Sequence, residues 1–165
     1  MSTYDINRAW SDRYIPAIKG IVGPLLLEES SFDVDTKQAT DLIVLNARDK
    51  MIAARVRRSK YAASFPYDFT IRSQLDSGTK TELQKIVDGF ADWMFYGHAN
   101  EKSEGFSRWM VINLAALRAA LIRGKAPCTK HSNGDGTHFI AFDIRNLPQD
   151  CLVACNFAVQ QGMAA

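Results

Sequence analysis

The sequence predicts an α/β fold in which a mixed sheet is flanked by helices. Three observations carry this reading. Strand-like runs follow one another at Asp41–Leu45, Met51–Arg58 and Tyr67–Ser73, a well-marked helix comes next, and strand and helix then alternate toward the C-terminus. The expected order is α-β-β-β-α-β-α-β-α within a single domain spanning residues 1–165.

The first helix is expected in the N-terminal segment, where Tyr14, Ile18, Ile21, Val22, Leu25 and Leu26 recur at nearly helical spacing. Pro16 suits a first turn opened near Ser11 or Asp12, and Gly23 followed by Pro24 should kink or break the helix, so two shorter helices also fit. In the third strand Tyr67, Phe69 and Ile71 alternate with Asp68, Thr70 and Arg72, giving one apolar and one polar face. The next helix has Thr79 as its cap, Glu82 three residues on as capping-box partner, Leu83, Ile86 and Val87 as its buried stripe, and Gly89 at its end. Ala91–Gly97 reads as a buried strand and Phe106–Gly124 as one long helix. Ser132–Gly136 reads as a turn and His138–Ile144 as a strand. Asn146–Gln161 reads as a helix capped by Asn146 with Pro148 in its first turn.

Hydrophobic residues at 47% and charged residues at 23% describe an ordinary globular chain, long enough at 165 residues to bury a core without staples. The longest strongly apolar stretch, Val111–Ile122, is too short for a bilayer and contains Arg118, so no membrane span is expected. Three cysteines and no apolar leader with a cleavage site point to a reducing, cytoplasmic setting. Cys128 and His131 form a C-x-x-H pair with His138 further on, but zinc wants a fourth ligand, and turn and core roles account for them better. Cys151 and Cys155, four apart on a helical pattern, read as buried thiols on one face.

A formal charge of +2 does not by itself announce a nucleic-acid binder, because phosphate binding needs clustered cations. Clustering exists: Arg55, Arg57, Arg58 and Lys60 lie within six residues. If residues 46–50 form a hairpin turn, antiparallel pairing sets Leu45 opposite Met51 and Asp41 opposite Arg55, with Arg57 on the same face. One carboxylate and two guanidinium groups then share a patch. Read structurally, Asp41 and Arg55 form a cross-strand ion pair, and the cations protect a sheet edge.

At this hairpin the chain resembles the PD-(D/E)XK nuclease superfamily, whose core runs helix, three strands, helix, strand. Asp41 in TDLIVL stands at the family's aspartate, while IAARVRR puts Arg55 and Arg57 where the family has Glu and Lys. The resemblance, covering Tyr14 to about Gly97, implies a restriction-endonuclease-like core and nucleic-acid binding or processing. It also implies a metal-dependent nuclease mechanism, with Mg2+ or Mn2+ on Asp41 activating water at a phosphodiester. Arg55 departs from that pattern, since a guanidinium offers only donors and repels a cation. Arg57 still suits an anionic phosphate. A relocated carboxylate from Glu28, Glu29, Asp33, Asp35 or Glu82 would be needed to restore the metal site.

The expected catalytic set is therefore Asp41, Arg57 and Glu29, and the expected DNA- or RNA-contacting set is Arg55, Arg57, Arg58, Lys60 and Arg72. The alternative is a non-catalytic module docking a protein partner, an inhibitor for example, and homodimer formation through the Leu- and Ala-rich helix is compatible with both. His98 suits acid-base work by its ordinary pKa but has no partner placed by the sequence. Trp93, Phe95 and Tyr96 read as core, not as base-stacking rings. No nucleophile elbow, Walker loop or dinucleotide fingerprint is present.

Overall fold

In the computed structural model, residues 3–29, 42–44, 50–74, 81–102 and 104–159 are described, with side chains at all of these except 3–4, 27–29, 42–44 and 74. The chain divides into two compact units, 1–50 and 51–165.

The first unit opens with α1 (Thr3–Asp12) and α2 (Ile15–Val22). Pro16 sits in the first turn of α2, where its missing N–H costs nothing. The helix ends at Gly23, whose N–H donates to the Lys19 carbonyl, and a 3-10 turn runs on through Leu26. Tyr14, Ile18 and Val22 are buried, as the helical spacing predicts. A short antiparallel ladder then pairs β1 (Leu27–Glu29) with β2 (Leu42–Val44), setting Glu29 opposite Leu42.

The second unit is α/β, with a mixed sheet and a separate antiparallel sheet. The mixed sheet has the order β3-β5-β6-β9, formed by β3 (Ile52–Arg57), β5 (Trp93–Asn100), β6 (Gly105–Asn113) and β9 (Leu152–Cys155). Its β3–β5 pair is parallel and the others antiparallel. The second sheet has the order β4-β8-β7, from β4 (Asp68–Gln74), β8 (His138–Asp143) and β7 (Thr129–Ser132). The helices are α3 (Lys60–Ser64), α4 (Glu82–Val87) and α5 (Leu114–Ile122).

Strand alternation puts Phe69, Ile71, Ile140 and Phe142 from the second sheet into one core with Met94, Tyr96, Met110 and Ile112 from the first. Ile86 of α4 and Leu114 and Leu117 of α5 join them. Phe69 stacks on Phe142 with ring centroids 5.1 Å apart. Side chains of this size each contribute about 1.5–3 kcal/mol on burial, so this cluster is the main source of the unit's stability.

Four expectations are corrected. The hairpin joining Asp41–Leu45 to Met51–Arg58 is replaced among the described residues: β2 takes β1 as its partner, and β3 pairs in parallel with β5. Asp41 itself lies outside the described residues. The long helix expected over Phe106–Gly124 is instead strand β6 followed by α5. Its aromatic and β-branched first half favours a strand, and the Asn113 side chain caps the helix by accepting the N–H groups of Ala115 and Ala116 at 3.1 and 3.2 Å. The C-terminal helix is replaced by a 3-10 turn (Gln149–Cys151) and strand β9, where pairing with β6 overrides the helical spacing of Cys151 and Cys155. Finally, α4 is capped by Thr81 in a box with Gln84, not by Thr79 with Glu82.

Candidate anion-binding site

Three side chains of the mixed sheet share one row. Arg57 on β3 lies beside His98 on β5 in the parallel register, and His98 lies opposite Arg108 on β6 in the antiparallel one. Directly paired residues project to the same face, so two guanidinium groups flank one imidazole. The neighbouring row of the same face, Arg55, Tyr96 and Met110, leads into the core.

His98 is 2% exposed. Burial first, then the positive charges of Arg57 and Arg108, push its pKa down to about 4, so the ring is neutral at physiological pH. The ring stands edge-on to Tyr96, 5.7 Å between centroids, and makes no hydrogen bond with a described residue. No buried polar side-chain atom among the described residues goes unsatisfied, so the ring nitrogens keep what little solvent access the residue has.

Each flanking arginine is held by aromatic rings. Arg57 lies 4.5 Å from the centre of the Tyr61 ring, and the Lys60 ammonium is 5.2 Å from the same ring. The position follows from the chain path: β3 ends at Arg57, and α3 begins three residues later, turning Tyr61 back toward the strand end. Arg108 packs 4.1 Å from Phe157 and 5.2 Å from Tyr67, and its Nε donates to the Pro66 carbonyl at 3.0 Å. Such contacts each contribute about 0.5–1 kcal/mol at exposed sites and fix the guanidinium without cancelling its charge. Among the described residues neither Arg57 nor Arg108 has a carboxylate partner.

Arg55 differs. Its Nη1 donates to Glu82 Oε2 at 2.6 Å, and the same oxygen accepts the backbone N–H of Arg72 at 3.0 Å. Freed from capping by Thr81, Glu82 joins β3, β4 and α4 and neutralises Arg55.

Beside Tyr67 a second network forms. Arg145 lies 4.2 Å from the Tyr67 ring and donates through Nε to Asp143 Oδ1 at 3.0 Å, which holds the Asp143 carboxyl below its ordinary pKa. Asp68, opposite Asp143 in the β4–β8 ladder, is shifted upward by burial and then by the Asp143 charge.

Of the residues singled out in the sequence, the structure brings Arg57 and Lys60 to one ring, Tyr61. Arg58 follows β3 and is exposed. Arg72 lies in the other sheet, opposite Phe139; the pKa of Asp135 is lowered first by its hydrogen bonds with Thr137, with the Arg72 charge a lesser cause. Glu29 is placed in β1 by its backbone, while its side chain, like Asp41, lies outside the described residues. Among the described residues no three His, Cys, Asp or Glu side chains gather to hold a metal ion, and this includes Cys128 and His131. Cys128 is exposed, and the His131 ring stacks on Phe139, 5.0 Å between centroids. No helix among the described residues is long and apolar enough to cross a membrane.

Sequence reasoning missed Arg108, Tyr61 and Tyr67. The available signal was the β-rich segment Phe106–Ile112, which places Arg108 on a strand once Asn113 is recognised as a helix cap. Comparison with protein-family models, with curated proteins and with solved structures finds no match to this chain.

Proposed function

We propose that this protein binds nucleic acid, DNA or RNA, through the surface formed by the end of β3 and the start of α3. The observation that carries the reading is Arg57, fixed against Tyr61 with no carboxylate partner among the described residues. Arg58 and Lys60 follow within three positions. A cation held by an aromatic ring keeps its donors for phosphate oxygens, and a half-buried ring beside cations offers a stacking platform for an unpaired base. Arg55 is left out of this surface, because Glu82 already occupies its guanidinium.

The test is equilibrium binding of mixed-sequence single- and double-stranded DNA and RNA across a salt series. Binding that weakens as salt rises, because phosphate contacts release counterions, supports the reading. Absence of binding to every substrate by the folded protein removes it. Cleavage of the bound strand on adding Mg2+ or Mn2+, lost in Asp41→Ala, would extend the reading to metal-dependent hydrolysis at Asp41 and Glu29.

A further inference from the structure

We infer that the row Arg57, His98 and Arg108 is a binding site for a phosphomonoester, the group carried by inorganic phosphate and by the phosphorylated end of a nucleic-acid strand. The inference shares Arg57 with the nucleic-acid surface and rests on that reading for the strand end as its source. Binding of inorganic phosphate by the row stands independently of it.

Three features converge there. The register of three adjacent strands lines the side chains up on one face. Both guanidinium groups are fixed by rings and, among the described residues, lack a carboxylate. Between them stands a histidine that is 2% exposed and makes no hydrogen bond with a described residue.

The groups that face this histidine are Arg57 from β3, Arg108 from β6 and the Tyr96 ring from its own strand. Two like charges beside a buried imidazole are an unfavourable arrangement until an anion joins them. A neutral imidazole supplies one N–H donor and one acceptor, and each guanidinium supplies a fork of donors. A phosphomonoester brings three terminal oxygens and up to two negative charges, one oxygen for each member of the row. An internal phosphodiester brings two non-bridging oxygens and one charge, and leaves one member unmatched.

The test follows the His98 ring nitrogens by NMR in the full chain during titration with inorganic phosphate. It then compares binding of one oligonucleotide with a 5′-phosphate and with a 5′-hydroxyl. The expected result is a saturable shift of the His98 resonances, a rise of its pKa toward the ordinary value as the anion joins, and roughly tenfold tighter binding of the phosphorylated strand. Arg57→Gln and Arg108→Gln should each remove that preference. Arg57 makes no side-chain hydrogen bond with a described residue, so its variant gives a readout even where loss of the Arg108–Pro66 bond disturbs folding. Equal binding of the two strands with unmoved His98 resonances overturns the site and leaves the nucleic-acid reading standing. A saturable phosphate response from a protein that binds neither strand supports the site and retires the nucleic-acid reading.

Discussion

Arg55 and Glu82, 27 residues apart, meet at 2.6 Å, and the same Glu82 oxygen accepts the Arg72 N–H, so one carboxylate joins the edge strand of the mixed sheet to a strand of the other sheet. The pair has side chains only 19% and 28% exposed, which places it between a surface ion pair and a buried one. Glu82→Ala leaves a half-buried guanidinium without its carboxylate and opens the Arg72 N–H to solvent. The expected loss is about 1–3 kcal/mol in urea unfolding, with a smaller loss for Glu82→Gln, which keeps an acceptor. The same Glu82→Ala variant should bind polyanions more tightly and with a steeper salt dependence, because Arg55 is released to the surface that Arg57 already occupies.

His98 sets an acid limit. Its folded pKa, about 4, lies below the ordinary 6.5, so between these values the unfolded chain takes up a proton that the folded chain does not. Its contribution is therefore constant above pH 6.5, and stability falls as pH drops from 6.5 toward 4. The full shift corresponds to about 3 kcal/mol. His98→Gln should flatten that part of the stability profile, as read by thermal unfolding at successive pH values. An unchanged profile would mean that His98 titrates normally. Asp143, whose pKa is lowered, adds a separate loss below the ordinary carboxylate range as pH falls through its folded pKa.

Gly97, between Tyr96 and His98, is needed for the close approach of rings on the opposite face. A Cβ there would stand 2.6 Å from Phe106 Cδ1 and 2.8 Å from Phe95 Cε1. Gly97→Ala is expected to destabilise the sheet by about 1–3 kcal/mol through overpacking, measured by chemical denaturation.

Much of the fold was legible wherever the signal was local. Alternation in Tyr67–Ser73 and the strand-like runs at Ala91–Gly97 and His138–Ile144 gave strands, and the turn residues at Ser132–Gly136 gave the β7–β8 turn, where Asn133 N–H donates to the Thr137 carbonyl at 2.8 Å. The errors arose where local and tertiary preferences compete. Thr79 and Thr81 both precede a glutamate or glutamine at capping distance, and the choice between them decides whether Glu82 is a cap or an ion-pair partner. Cys151–Cys155 has helical spacing, yet Leu152–Cys155 gains more from pairing with β6.

The site was less legible than the fold. Arg57 and Lys60 were visible as cations in a cluster, and His98 as a histidine with no partner. The row that unites Arg57 with His98 and Arg108 depends on pairings across 41 and 10 residues, which no local pattern encodes. Reading Phe106–Gly124 as one helix hid Arg108, because it assigned the residue to a helix face instead of a strand register.

The most direct test of the central claim is the salt dependence of nucleic-acid binding by wild type and Arg57→Gln, followed by fluorescence anisotropy with labelled DNA and RNA. The account predicts salt-sensitive binding by the wild type. It predicts weaker binding by the variant, with the slope of log K against log salt reduced by about one, the loss of one phosphate contact. A variant that matches wild type in both affinity and slope, while folded, would contradict the assignment of Arg57 to a phosphate-binding surface.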